Sequence, residues 1–229
     1  MEFRRNSSAS LQNYRDALDA TGVGTSFLNS TKTAVFSTLL SLVLAVPAAY
    51  GTTRFGTLSG RVFMLGALVT RMVPPVAIGV PMIGLMRDLH LNDNSLGLAL
   101  AHTTISLPLS VWLMASFFDA VPAELEEAAM IDGCGRFGAM VRVVLSIVLG
   151  GLAVTAIFAF LASWNDFLFA LLLTSINART TPIVIANFQS QFGLDWGPLA
   201  VMYSLPVVLL ALLLQRRIVA GLSLGAVKG

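Results

Sequence analysis

Apolar runs long enough to cross a bilayer dominate this chain and limit its fold more than any other feature. A bilayer core is spanned by about 20 helical residues, so each such run with few charges is a candidate transmembrane helix. The runs lie near residues 28–50, 62–86, 96–118, 143–170 and 199–219. Only 11% of the residues are charged, against roughly 25% in soluble domains. Stretches such as VVLSIVLGGLAVTAIFAFLA do not alternate polar and apolar positions, which argues against a transmembrane barrel. We predict an all-α polytopic membrane protein of about five transmembrane helices in one domain, 1–229.

The distribution of charge predicts how the chain lies in the membrane. Residues 1–26 are polar and lack the apolar core of a signal peptide, so we expect five spans rather than six. Basic residues in short loops mark the cytoplasmic side. Segment 119–142 and the tail, 220–229, are therefore predicted to be cytoplasmic and residues 1–26 external, although the basic residues of this first segment favour the opposite. The loop after the first span, segment 119–142 and the end of the chain from Arg216 onward together carry the basic residues of this side: Arg54, Arg61, Arg136, Arg142, Arg216, Arg217 and Lys228.

Side chains suited to catalysis or metal binding are sparse. The single cysteine, Cys134, and two histidines, His90 and His102, cannot build a cysteine-based metal cage. The only lysines, Lys32 and Lys228, do not end a phosphate-binding G-x-x-x-x-G-K-[ST] loop. No nucleophile and base pattern or carboxylate pair stands out. We predict no metal, no cofactor and no enzymatic activity in this chain.

Prolines inside the apolar runs predict bent helices. Proline removes one backbone hydrogen bond, a loss that neighbouring helices of a membrane bundle can compensate. The bends serve either packing alone or gating. These residues are Pro47, Pro74, Pro75, Pro81, Pro108 and Pro206.

The polar segment ELEEAAMIDGCG, residues 124–135, separates two apolar runs. Pro122 suits the first position of a helix because its missing N–H would lack a partner there. Glu124 and Glu126 complement the positive end of the helix dipole. We predict a helix over 122–132 that lies along the membrane surface. One face of it would carry Val121, Leu125, Ala128 and Ala129.

Two glycines are expected to end this surface helix. Gly133 and Gly135 follow it directly, and glycine adopts left-handed backbone angles without steric cost. The pattern after them predicts a second helix that continues into the next apolar run. Its apolar residues at helical spacing are Phe137, Met140, Val141 and Val144.

The motif EAAMIDG, residues 127–133, resembles the EAA loop of permease subunits in bacterial ABC importers. WNDFL at 164–168, LQNYRDAL at 11–18 with Asn29-Ser30 after it, and the ending GLSLGAVKG resemble the carbohydrate-importing branch, most closely the maltose-type second permease. Those permeases usually carry another transmembrane helix before the NYRDAL-like segment, and this sequence has no apolar run there. Leu145-Ser146 replaces the Leu-Pro of the family. The usual proline kink at the base of that span is therefore not expected.

The resemblance implies a multi-pass permease subunit in the inner membrane of a bacterial cell. Its partners would be a second permease, two cytoplasmic ATPase subunits that use ATP and Mg, and an external solute-binding protein. The EAA loop would be a coupling helix in an ATPase cleft, with Ala128 and Ala129 in close contact with the ATPase. Glu127 would pair with a basic residue of the ATPase. Glu124 and Glu126 are interpreted as solvated. The implied coupling residues are Pro122, Glu127, Ala128, Ala129, Asp132 and Gly133, and the implied ATPase contacts of the tail are Gly221, Gly225 and Lys228. A cytoplasmic loop without a partner is the alternative.

Three polar residues in or beside apolar runs are candidates for the solute pathway. Arg71 lies about 10 residues into its predicted span, or about 15 Å deep at helical rise. A charge there needs a partner or a wet cavity. We predict that it faces the pathway or the second permease; the alternatives are an internal hydrogen-bond partner or a span shifted toward the headgroups. Asn165 and Asp166 either line the outer mouth of the pathway or cap a helix end. His102 is expected to form a hydrogen bond between helices.

The function that the resemblance implies is import of a sugar or related polar solute. Import of another solute class, such as glycerol phosphate derivatives or amino acids, is the main alternative. A secondary transporter driven by an ion gradient would need intramembrane carboxylates. Asp166 is the only acid near such a position.

Overall fold

The computed structural model describes residues 23–56 and 58–191, together with residues 204, 206 and 208. Helices and short connections make up these residues, and no strand occurs among them. The all-α fold class is confirmed. The helices are α1 (Val23–Arg54), α2 (Leu58–Thr70), α3 (Pro75–Asp88), α4 (Ser95–Asp119), α5 (Ala123–Ile131), α6 (Arg136–Ala139), a π-helix (Met140–Val144), α7 (Leu145–Ile147), α8 (Leu149–Trp164), α9 (Leu168–Leu173) and α10 (Thr181–Gln191).

Two helices are long and apolar enough to cross a bilayer alone. They are α1 and α4, which correspond to the runs predicted at 28–50 and 96–118. Two further spans exist only if each of two bent helix pairs counts as one. The run predicted at 199–219 lies almost wholly outside the described residues. Among the described helices, therefore, two to four spans are present.

The second predicted span, 62–86, is bent, as the prolines within it predict. It consists of α2 and α3, which meet at an angle of 89°. Pro74 has an extended conformation, with φ −57° and ψ 129°, and Pro75 opens α3. A residue before proline avoids helical angles, and proline itself offers no N–H, so Pro74-Pro75 enforces the break. The depth of 15 Å predicted for Arg71 assumed a straight helix and is not supported, because Arg71 lies in this break.

The fourth predicted span, 143–170, is also interrupted. Residues 136–147 and α8 meet at 82° around Val148, whose backbone angles are φ −94° and ψ 20°. No proline lies at this bend, so the chain bends here without the proline kink that the resemblance associates with this position. The π-helix precedes it, and the extra residue of a π-turn disturbs the regular ladder of hydrogen bonds, which is a recognised cause of kinks. At its other end α8 stops at Trp164 rather than at 170.

Small and hydroxyl side chains form the contacts between α1, α4 and α8. The buried face of α1 repeats every three or four residues as Ser26, Ser30, Thr33, Ser37, Ser41, Ala45 and Ala49. Ser41 Oγ lies 2.6 Å from Ser106 Oγ of α4, and Thr103 Oγ1 lies 3.5 Å from Ser37 Oγ. Without water to drive apolar association, membrane helices pack through small residues and hydrogen bonds of this kind. The three helices therefore form one tightly packed unit.

Candidate coupling site

The short surface helix predicted at 122–132 is present as α5, one residue shorter at each end. Pro122 is its N-cap, with φ −57° and ψ 135°, and Asp132 is its C-cap. Gly133 then adopts φ +89°, which confirms the predicted turn. Cys134 N donates to Ala129 O at 3.0 Å, and Gly133 N donates to Met130 O at 3.1 Å. These two bonds are those of a Schellman motif, which closes the helix at a left-handed glycine.

The four residues predicted to share one face of α5 lie on two different sides of the helix. Val121 is 4% exposed and Ala129 is 9% exposed, so both pack against the rest of this chain. Leu125 and Ala128 lie instead on the exposed side. Burial of Ala129 favours a docking contact through Ala128 alone, and the role of both alanines in docking stays a prediction. The free surface of α5, called here the outer face, consists of Glu124, Leu125, Glu127, Ala128 and Ile131.

Glu126 is buried, which corrects its interpretation as a solvated acid. Its exposure is 5%, whereas Glu124 and Glu127 are exposed. The Tyr50 hydroxyl donates to Glu126 Oε1, and Arg54 Nε donates to Glu126 Oε2 at 2.8 Å. Both carboxylate oxygens therefore have partners on the last turns of α1. We call Tyr50, Arg54 and Glu126 the clasp.

Arg54 also reaches the start of α5. Its Nη2 donates to Val121 O at 3.0 Å, so one guanidinium holds both a side chain and the backbone of the link between α4 and α5. Arg is suited to this role because its planar fork presents several donors in fixed directions. Tyr50 in turn packs edge to face on Phe118 of α4, with ring centroids 6.0 Å apart. The end of α1 is thus fixed to α4 and α5 together.

Electrostatics at the clasp follow from burial. Desolvation raises the pKa of the Glu126 carboxyl, Arg136 acts to lower it, and the neighbouring Glu127 acts to raise it. The Arg136 guanidinium lies 5.4 Å from the centre of the Phe55 ring, within cation–π range. Helix α6 is therefore also connected to the end of α1.

Sequence patterns did not single out the clasp. Tyr50 and Arg54 are four residues apart, so they share one face at the end of an apolar helix. An arginine at the end of an apolar helix needs a hydrogen-bond or ion-pair partner, and this need was the only sequence pattern that pointed to the clasp. Its partner is 72 residues away along the chain, and no spacing rule connects the two.

Of the pathway candidates, Arg71 is exposed in the break between α2 and α3. Within the described part of the chain, its guanidinium forms no ion pair. Asn165 is exposed at the end of α8. Whether these residues line a pathway stays a prediction.

Asp166 caps a helix. Its Oδ1 accepts from Phe169 N at 2.9 Å and from Ala170 N at 3.3 Å, at the start of α9. The same oxygen lies 3.2 Å from His102 Nε2, without the alignment of a hydrogen bond. His102 Nδ1 lies 2.7 Å from Ser163 Oγ, which confirms the expected bond between helices. The residues predicted in the tail, Gly221, Gly225 and Lys228, lie outside the described residues.

The amino-acid sequence of this chain matches one protein family and several transport permeases. The family model described as "Binding-protein-dependent transport system inner membrane component" matches residues 37–223. The trehalose transport system permease protein SugB of Mycobacterium tuberculosis is 35% identical over 97% of this chain and 84% of its own length. The diacetylchitobiose uptake system permease protein DasC of Streptomyces coelicolor is 31% identical over 95% of this chain and 80% of its own.

The fold also matches a solved structure. A chain in the crystal structure of a bacterial ABC transporter involved in the import of the acidic polysaccharide alginate superposes with a TM-score of 0.74. The match covers 89% of this chain and 78% of that chain, at 23% identity. At this identity the likeness concerns the fold alone.

Proposed function

The chain belongs to the family of binding-protein-dependent transport system inner membrane components, and on this basis we propose that it is the transmembrane subunit of an ATP-driven importer for a sugar or related polar solute. SugB is named for trehalose transport and DasC for diacetylchitobiose uptake, and MalG of Thermococcus litoralis, 35% identical over 88% of this chain and 74% of its own length, is named for trehalose and maltose transport. These names support a sugar as the solute class.

The observation that carries the proposal is the outer face of α5. Ile131 is 86% exposed and Leu125 is 46% exposed, on a surface helix that the clasp and a glycine turn hold in place. Large apolar side chains clustered on a fixed surface helix are typical of a protein contact. We assign this face to a cytoplasmic ATPase subunit, with Glu127 paired to a base of that subunit. Segments 119–142 and 220–229 then lie in the cytoplasm, and Gly221, Gly225 and Lys228 contact the ATPases.

Energy for import would come from those partners. The sequence contains no phosphate-binding loop. ATP and Mg would therefore bind in two ATPase subunits, and this chain would not catalyse hydrolysis. A solute-binding protein would deliver the solute from outside.

A second permease would complete the pathway. Helices α2 and α3 expose a broad apolar surface, including Val62, Phe63, Leu65, Val69, Val76 and Val80. Lipid and a partner permease both suit such a surface. Arg71 is exposed beside it and would face the pathway or that partner, because a lone charge is costly in lipid. Asn165 and Asp166 would lie near the outer mouth.

The test is reconstitution of the complete importer in liposomes. We expect ATP-dependent uptake of labelled disaccharides such as trehalose or maltose, and no uptake of a labelled amino acid. Glu127→Lys should weaken retention of the ATPase during purification, while Asp119→Lys, at the exposed end of α4 and outside the outer face, serves as its control. Amino-acid uptake without sugar uptake would overturn the solute class. Uptake that is independent of ATP would overturn the importer assignment.

A further inference from the structure

We infer that Glu126 is a positioning residue that transmits movement of α5 to the cytoplasmic end of α1, through Arg54 and Tyr50. The inference rests on the proposed function, since it concerns how an ATPase held on α5 would act on the membrane helices. In this inference the clasp transmits the movement of α5 to α1. The sequence alone indicates a different route, through the helix that follows the EAA motif.

The clasp has the features of a stiff connection. Glu126 uses both carboxylate oxygens, one for Tyr50 and one for Arg54, and Arg54 adds a bond to Val121 O. Charge-assisted hydrogen bonds are stronger than neutral ones. Because Glu126 is 5% exposed, water screens its ion pair little. A displacement of α5 therefore has to move the end of α1 or break a partly buried ion pair.

The covalent route from α5 to α8 has the features of a hinged connection. It passes through Gly133 at φ +89°, the extended Gly135, a π-helix and the 82° bend at Val148. Each of these is a point where backbone angles depart from a continuous helix. Hinges of this kind absorb changes in backbone angle. The backbone between α5 and α8 can therefore absorb a movement of α5 that the clasp would pass on to α1.

The end of α1 is connected onward to the centre of the bundle. Tyr50 belongs to a buried cluster with Val111, Met114 and Phe118 of α4. Farther along α1, Ser41 lies 2.6 Å from Ser106 of α4. Helix α1 is thus packed along α4 as a unit, so a movement imposed at Arg54 reaches residues in the middle of the bundle.

The experiment compares the complete importer with its clasp variants in liposomes. The quantity measured is solute transported per ATP hydrolysed, with ATPase retention on purification recorded for each variant. Glu126→Gln removes the charge, and Tyr50→Phe removes a single hydroxyl with little risk to folding. Asp119→Asn, at the exposed end of α4 and outside both the outer face and the clasp, is the control for loss of an acid. A charge-swapped protein, Arg54→Glu with Glu126→Arg, tests the pair itself against its two single changes.

We expect Glu126→Gln to retain the ATPase but to lower transport per ATP by about fivefold or more, the lower range of measured couplings between sites. Tyr50→Phe should lower it in the same direction, Asp119→Asn should match the wild type, and the swapped pair should exceed both singles. Wild-type coupling in Glu126→Gln and Tyr50→Phe would overturn the inference. Loss of ATPase retention in parallel with coupling would also overturn it, since the clasp would then only shape the docking face. Failure of the wild-type importer to transport would instead count against the proposed function.

Discussion

The Phe117 ring lies directly against the backbone of Gly151, so that a Cβ atom on Gly151 would come within 2.3 Å of Phe117 Cγ. This contact joins α8 to α4. We predict that Gly151→Ala destabilises the protein by about 1–3 kcal/mol, because the ring has to move out of a packed interface. Thermal unfolding in detergent measures the effect.

Gly84→Ala is the control for this prediction. Gly84 lies within α3, and no atom would come within 4 Å of a Cβ there. Alanine also favours helix over glycine by about 1 kcal/mol. The control should therefore be neutral or stabilising. Equal melting temperatures for the two variants would mean that the α4–α8 contact is looser than the structure shows.

The spans differ in how far the sequence could predict them. The length of the apolar run was enough to predict α1 and α4, because a helix of that length and composition is stable only across a bilayer. The break at Pro74-Pro75 was foreseeable as a bend, but its angle of 89° depends on packing. The 82° bend at Val148 follows a π-helix that no residue type marks. Local patterns therefore identified the spans, and tertiary contacts set their shapes.

Asp93 orders the loop that follows α9. Its carboxylate accepts from the backbone N–H groups of Ser175, Ile176, Asn177 and Ala178 at 2.9–3.1 Å. We predict that Asp93→Asn speeds hydrogen–deuterium exchange of these four amides, because hydrogen bonds to a charged group contribute about 1.5–3 kcal/mol each and a neutral amide offers less. Asp88→Asn, at the exposed end of α3, is the control. Unchanged exchange in Asp93→Asn would contradict the prediction.

The same carboxylate predicts how this loop responds to acid. Burial alone would raise the pKa of Asp93, but the four backbone hydrogen bonds outweigh it and lower the pKa from 3.8 to about 2. A lowered pKa means that the stabilisation is fully present above 3.8 and is lost as the pH falls through about 2. We expect pepsin cleavage of the loop to rise in that window. Asp93→Asn should lack the step, and a step of the same size in this variant would assign it to another group.

Gly133 ends α5 with φ +89°, an angle that a β-branched residue adopts only with strain. We predict that Gly133→Val costs about 1–3 kcal/mol of stability and weakens ATPase binding by displacing the end of α5. Gly135→Val is the matched control, because Gly135 has extended angles, φ −68° and ψ 162°, that valine accepts. Melting temperature and ATPase retention are measured for both. Indistinguishable variants would show that the turn does not need a glycine.

The coupling site shows the limit of sequence reasoning at one residue. The existence of α5, its start beside Pro122 and its glycine turn all follow from local preferences. The burial of Glu126 does not, because an acid on a short surface helix is usually solvated. Only the arrival of Arg54 and Tyr50 from α1 makes a buried carboxylate stable there. The orientation of α5, and with it the separation of Ala128 from Ala129, depended on that contact between distant parts of the chain.

Ala128 and Ala129 provide the sharpest test of which face of α5 meets the ATPase. Ala128 is exposed on the outer face, whereas Ala129 is 9% exposed and packs toward the chain itself. We predict that Ala128→Trp leaves the melting temperature of the permease unchanged but abolishes retention of the ATPase. Ala129→Trp should lower the melting temperature, since overpacking a buried contact costs about 1–3 kcal/mol. Each variant serves as the control for the other, at equal abundance in the membrane. Normal ATPase retention and transport in Ala128→Trp would show that the outer face is not the docking surface.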